Sequence, residues 1–208
     1  TPLSNLNGLN YVGSYNNIVG AFGGLFAFFF GSIPGTLGEV NKFLIVLAFI
    51  YLSISKVIKW RIPVSYVSTV FVMTYFISLY NGIGIWYPTF QILSGGLLFG
   101  AVFMATDPVT SPVSKSSQVF YGITLGILTV LLRFLTNYPE AVLTSILTMN
   151  MLVAIYDKFG INLKFNFKKI IYPIIIFGIL LVLSTYQVSS YVKNINDKKD
   201  EDVKIIDL

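Results

Sequence analysis

Six stretches of 18 to 23 residues run through this chain with their charges at or near the ends: Gly38–Ile58, Pro63–Tyr80, Thr89–Thr106, Val119–Thr136, Pro139–Tyr156 and Ile170–Val192. About 20 apolar residues in a helix cross the hydrocarbon of a bilayer. A backbone in lipid must satisfy its own hydrogen bonds, so the stretches read as helices and not strands. Only 11% of the 208 residues are charged, and 55% are hydrophobic. An ordinary soluble domain has about 25% charge. The expected fold is all-α: a polytopic transmembrane helix bundle of about six spans. A seventh apolar stretch, Ile18–Ile33, is short and runs into Pro34-Gly35. It reads as a re-entrant or interfacial segment near the N-terminus.

The chain has neither Cys nor His. Disulfides, thiolate nucleophiles, iron–sulfur ligation, imidazole metal sites and histidine bases are excluded within it. No dinucleotide fingerprint or P-loop is present. Redox chemistry on this chain would have to ride on an organic cofactor.

The net charge of +5 is unevenly placed. Residues 1–192 hold ten Lys/Arg against Glu39, Asp107, Glu140 and Asp157, while residues 193–208 hold four Lys and five acids. The bases gather in the first connection (Lys56, Lys59, Arg61), the third (Lys115) and the fifth (Lys158, Lys164, Lys168, Lys169). Positive charge favours cytoplasmic loops, so these connections are expected inside, and residues 1–17 and the tail outside. The balance points to a membrane and its lipid as surroundings, and not to nucleic acid. The chain opens Thr1-Pro2-Leu3 with no Met, which reads as part of a longer or processed product.

Two motifs stand out. Residues 93–112, LSGGLLFGAVFMATDPVTSP, combine small residues with Asp107-Pro108 at a helix end. Residues 31–39, GSIPGTLGE, place Glu39 after a Gly/Pro-rich break. Interrupted helices build ion and ligand sites from free backbone groups. Glu39 and Asp107 are therefore ion-pathway candidates, with helix capping as the plainer role for each. Trp60-Arg61 reads as an interfacial anchor, and Arg133 as a residue that snorkels or pairs with Glu140.

These motifs resemble the RnfD/NqrB family, membrane subunits of Rnf electron-transport complexes and of Na+-translocating NADH:quinone reductase. The residue 94–112 motif carries the likeness. GSIPGTLGE, KWRIPVSY and LLRFLTNYPEAV follow the family order, and the fit is to RnfD, its C-terminal half. The resemblance implies FMN linked through its phosphate to the Thr of a Ser-Gly-Ala-Thr motif commonly followed by Pro-Leu; here only the trailing Thr1-Pro2-Leu3 of that motif is present, and Thr1 is the implied attachment residue. It leaves open a second, non-covalent flavin, riboflavin, among the helices. It implies other subunits of an Rnf- or Nqr-type complex as partners, residence in the cell inner membrane, and electron transfer coupled to Na+ or H+ transport. Leu135-Thr136-Asn137 and Ala154 depart from the family pattern, in places that concern helix shape. Residues 1–158 are expected to form the family's membrane domain. Residues 159–208 are expected to add a helix and a charged external tail resembling the opening of RnfG. From the residues alone, a non-redox secondary transporter with broken helices is an equal alternative.

Overall fold

The computed structural model describes residues 15–36, 38–136, 141–164 and 168–206. Among these, every regular element is helical. The chain begins with short pieces, α1 (Tyr15–Ile18), a 3-10 turn (Gly20–Phe22) and α2 (Leu25–Phe30). Gly23 and Gly24 both adopt φ +86°, a conformation that L side chains resist, so Ile18–Ile33 is no continuous helix. Ile18, Val19 and Phe28 nevertheless lie in the buried core. The stretch is thus an interrupted segment packed on the bundle, broken at Gly23-Gly24 as well as ending ahead of Pro34-Gly35.

The remaining elements are α3 (Lys42–Ile54), α4 (Arg61–Asn81), α5 (Trp86–Leu93), α6 (Leu97–Met104), α7 (Lys115–Leu135), α8 (Val142–Met151), α9 (Val153–Lys164) and α10 (Lys168–Ile206). By length and apolarity, α4 and α7 each suffice to cross a membrane, and α5 with α6 together match a broken span or a re-entrant pair bent by 64°. Three expectations are refined here. The first stretch is helical only over the 13 residues of α3, since its head belongs to the 31–41 loop. The fifth is broken at Leu152. The last helix does not stop at Val192 but runs to Ile206. Lys193/Asp197, Lys198/Asp202 and Asp200/Lys204 are spaced four apart in the sequence, a pattern that favours helix.

The centre of the bundle is the pairing of α4 with α7. Gly122 and Gly126, one turn apart on α7, let the two backbones close. A Cβ on Gly126 would lie 2.7 Å from the Thr69 Cβ and 3.1 Å from the Tyr66 carbonyl oxygen. Lipid gives no hydrophobic drive between helices, so close packing and interhelical hydrogen bonds hold them. Both are present. The buried Tyr66 hydroxyl meets the Thr129 hydroxyl at 2.7 Å, and Thr129 meets Ser145 of α8 at 2.8 Å. Tyr121 donates to Asn150 Oδ1 at 2.7 Å. α10 packs against α4 and α7 through buried Val188, Ser189 and Val192.

This contact makes a prediction. Gly126→Leu should force α4 and α7 apart and cost about 1–3 kcal/mol, the usual range for overpacking. Denaturant titration of the purified protein in mixed micelles measures it, with Ile123→Leu on the same helix as a control expected to stay near wild type.

Candidate functional site: a broken helix held by two buried cations

The third apolar stretch looks continuous in sequence but breaks at Ser94-Gly95-Gly96. Ser94 is extended (φ −89°, ψ 144°), and Gly95 takes the left-handed φ of +63°. Gly supplies that conformation without a steric penalty. The break ends α5 inside the bundle and leaves its last carbonyls without intrahelical partners.

Cationic side chains from two other elements meet those carbonyls. Arg133, near the end of α7, is 3% exposed. It donates from Nη1 to the Gln91 carbonyl at 2.7 Å and to Gln91 Oε1 at 3.2 Å, and from Nη2 toward the Ser94 carbonyl at 3.5 Å. Lys42, the first residue of α3, is 2% exposed. Its ammonium donates to the Gly95 carbonyl at 2.8 Å and to the carbonyl of Glu39. Positive charge at a helix C-terminus is also favoured by the helix dipole. Arg133 therefore does not snorkel outward; it is buried on the break. Glu140, its expected partner, lies outside the described residues.

The 31–41 loop folds over the same break. A Cβ on Gly96 would fall 2.5 Å from Glu39 Oε1, so the carboxylate rests directly against that glycine. Thr36 donates its hydroxyl to Glu39 Oε2 at 2.7 Å. Glu39 is not the cap of α3. That role belongs to Asn41, whose Oδ1 accepts from the Leu44 amide at 3.1 Å.

Asp107 sits at the far end of α6, beyond a π-helical turn at Gly100–Met104. Eleven residues of mostly helical chain separate it from Gly96, roughly 16 Å along a helix axis. The structure thus does not join Glu39 and Asp107 in one site; it places them at opposite ends of one half-helix. Asp107 Oδ2 accepts from the Thr110 amide at 3.2 Å and the Thr110 hydroxyl at 2.9 Å. It caps no helix, since the next one begins after Ser114; its carboxylate instead closes a tight turn that shapes the TDPVTSP loop. Lys59 fastens this loop, donating to the Ser111 carbonyl and hydroxyl at 3.2 and 2.9 Å and to the Pro112 carbonyl at 3.0 Å. Burial holds Lys59 below the usual lysine range, opposed by the charges of Asp157 and Asp107. Asp157 Oδ1 accepts from the amides of Val113 and Ser114 at 2.8 and 3.3 Å. Trp60 stacks with Arg61, whose guanidinium carbon lies 4.9 Å from the ring centre.

Thr1 lies outside the described residues. Sequence reasoning missed Lys42, Gln91, Lys59 and Asp157 as structural partners. For Gln91 a signal existed, since an amide inside an apolar stretch is costly and needs a partner, whereas Lys42 lies near a span end, where a charge gives no such signal. Among the described residues no group of three acidic, His or Cys side chains offers a metal site.

Residues 1–166 match the family described as NQR2, RnfD, RnfE. This chain belongs to that family. Among its relatives is a subunit of the proton-translocating ferredoxin:NAD(+) oxidoreductase complex of Clostridium ljungdahlii, 38% identical over 173 residues, covering 81% of this chain and 51% of the relative. The corresponding subunit of the Na(+)-translocating complex in Acetobacterium woodii is 31% identical over 159 residues, covering 76% and 46%. A subunit of the Na(+)-translocating NADH-quinone reductase of Chlamydia felis is 35% identical over 155 residues, covering 68% and 31%. The chain spans about half the length of these relatives or less. The family match takes in both interrupted segments, with Glu39, Lys42, Gln91, Asp107 and Arg133, and stops short of α10. With its apolar spanning helices, this family member is a membrane protein.

The arrangement predicts a large effect at Arg133. Arg133→Leu leaves an apolar side chain but orphans the Gln91 and Ser94 carbonyls, at about 1–3 kcal/mol for each buried group left unmet. Thermal unfolding in detergent should show a loss of several degrees or more, whereas Arg61→Leu at the exposed Trp60 stack should change it little.

Proposed function

We propose that the chain is the C-terminal half of a membrane subunit of an Rnf-type ion-translocating oxidoreductase, which couples electron transfer to Na+ or H+ movement. The observation that carries this is the family match over residues 1–166, joined to the activities for which the relatives are named. In this reading the partners are the other subunits of a membrane complex and the surrounding lipid, and the location is the cell inner membrane. With no nucleotide-binding motif here, nucleotide and electron-donor sites fall to those partners. In this reading residues 1–158 form the family domain, with the family match running on to residue 166, and residues 159–208 add α10, which packs on α4 and α7.

By its resemblance to the family's attachment motif, Thr1 would carry FMN as a phosphoester, a bond that a Thr hydroxyl can form and Pro2 and Leu3 cannot. When bound, FMN supplies a carrier of electrons. The Lys/Arg distribution favours the outer side for Thr1. The chain's own residues would serve the ion. Glu39 rests at the break at one end of α6, and Asp107 closes the other end. A carboxylate near each mouth of a half-helix gives a passing cation an oxygen ligand on either side, and an acid kept within a membrane is expensive without such a role.

The flavin part is tested on the full-length gene product. Thr1→Ala should abolish in-gel flavin fluorescence and the added mass of one FMN less water, while the protein still inserts. Covalent flavin retained in that variant would place the attachment elsewhere. The protein without flavin in either form would favour a non-redox transporter.

The ion part is tested in membranes holding the whole complex. Asp107→Asn keeps an acceptor oxygen for Thr110, so the turn should cost about 1 kcal/mol or less. It should nonetheless slow cation-dependent electron flow without lowering flavin content, and Glu39→Gln should do likewise. Wild-type turnover and cation dependence in both would leave them as structural residues only.

A further inference from the structure

Lys42 stands where a cation is least expected. It is the first residue of α3, the end of a helix that the dipole makes unfavourable to positive charge. It is also 2% exposed, and a buried ammonium is costly unless its donors are met. What meets them is main chain: the Gly95 carbonyl at 2.8 Å, 53 residues away, and the carbonyl of Glu39. The Glu39 carboxylate lies against Gly96, the next residue of the break. Two backbone oxygens with a carboxylate alongside form an oxygen-rich, electronegative spot, the ligand chemistry that hard cations prefer.

We propose that the main-chain oxygens of Glu39 and Gly95 form a monovalent-cation site that the chain fills with its own ammonium, on Lys42. The tethered charge keeps the break closed without depending on ions from solution. It also bars an alkali-metal ion from those oxygens, so any passing ion must use other ligands. Arg133 is not an alternative occupant, because its guanidinium donates to Gln91 and Ser94, on the preceding turn of the same break.

The site predicts a specific rescue. Lys42→Ala removes the ammonium and most of its stem, leaving room for an ion. Lys42→Met removes the charge but keeps an apolar stem in the same space. The full-length protein is purified in detergent with NaCl, methylammonium chloride or choline chloride at equal ionic strength, and its thermal unfolding is followed. Lys42→Ala should be destabilised in choline and gain a saturable rise of roughly 3–6 °C in Na+ or methylammonium beyond any rise in wild type. Lys42→Met should be destabilised to a similar degree and gain no such rise. A Lys42→Ala protein that responds to Na+ and methylammonium no more than wild type, or fails to accumulate in every salt, would overturn the proposal. So would an equal rise in Lys42→Met, which would mark a general salt effect.

Discussion

The bundle depends on how the carbonyls at the 94–96 break are met. A helix that stops inside a packed bundle, as α5 does at buried Gln91 and Ser94, leaves C-terminal carbonyls with neither intrahelical partners nor water. Here the remedy is positive charge brought from elsewhere. Arg133 arrives from α7 onto Gln91 and Ser94, and Lys42 arrives from α3 onto Gly95. The same contacts solve two problems, since each buried cation would itself be costly without acceptors. They also tie together three elements distant in sequence, so the 64° bend is held from both sides. The second loop obeys the same rule, with the Lys59 ammonium on the Ser111 and Pro112 carbonyls.

Such a break needs a rigid frame, and α4 and α7 provide it. Gly122 and Gly126 bring their backbones close, and the Tyr66–Thr129–Ser145 hydroxyl chain fastens α8 to the pair. Arg133 sits two turns beyond Gly126 on the same helix, so the close α4–α7 contact fixes where its guanidinium enters the bundle. α8 also reaches the broken segment directly. A Cβ on Gly100 would lie 2.5 Å from a Val142 methyl, so α6 has little freedom to shift along α8.

Much of this was legible in the sequence, and the illegible part has a common cause. Long apolar stretches announce helices, and Pro34-Gly35 after a short one announces an interrupted segment. The 94–96 break was not visible, because Ser-Gly-Gly also serves as a packing surface and nothing local tells the two apart. Only the distant cations distinguish them. Lys42 reads as an end-of-span charge and Arg133 as a snorkelling residue until the fold brings both to the same three residues. The candidate acids fared unevenly. Asp107 forms the turn its Pro108 neighbour implies, whereas Glu39 yields the capping role to Asn41, which is better placed by two residues. The helix continuing beyond Val192 was obscured by composition, since a charged stretch reads as a tail unless its i,i+4 pairing is counted.

The two ends of α6 are therefore not equivalent. Asp107 is held by two donors from Thr110 in a turn that is itself pinned by Lys59 and Asp157, so its geometry is set by the loop. Glu39 has Thr36 on one oxygen and the Cα of Gly96 close to the other, in a loop rich in Gly and Pro. A carboxylate fastened by two donors keeps its shape whether or not a cation is near. One held by a single hydroxyl can turn toward an ion at smaller cost. If both acids serve an ion, the mobile partner is Glu39 and the fixed one is Asp107. α6 lies between them, and the break at its Glu39 end is held rigid because its carbonyls are already bound to Arg133 and Lys42.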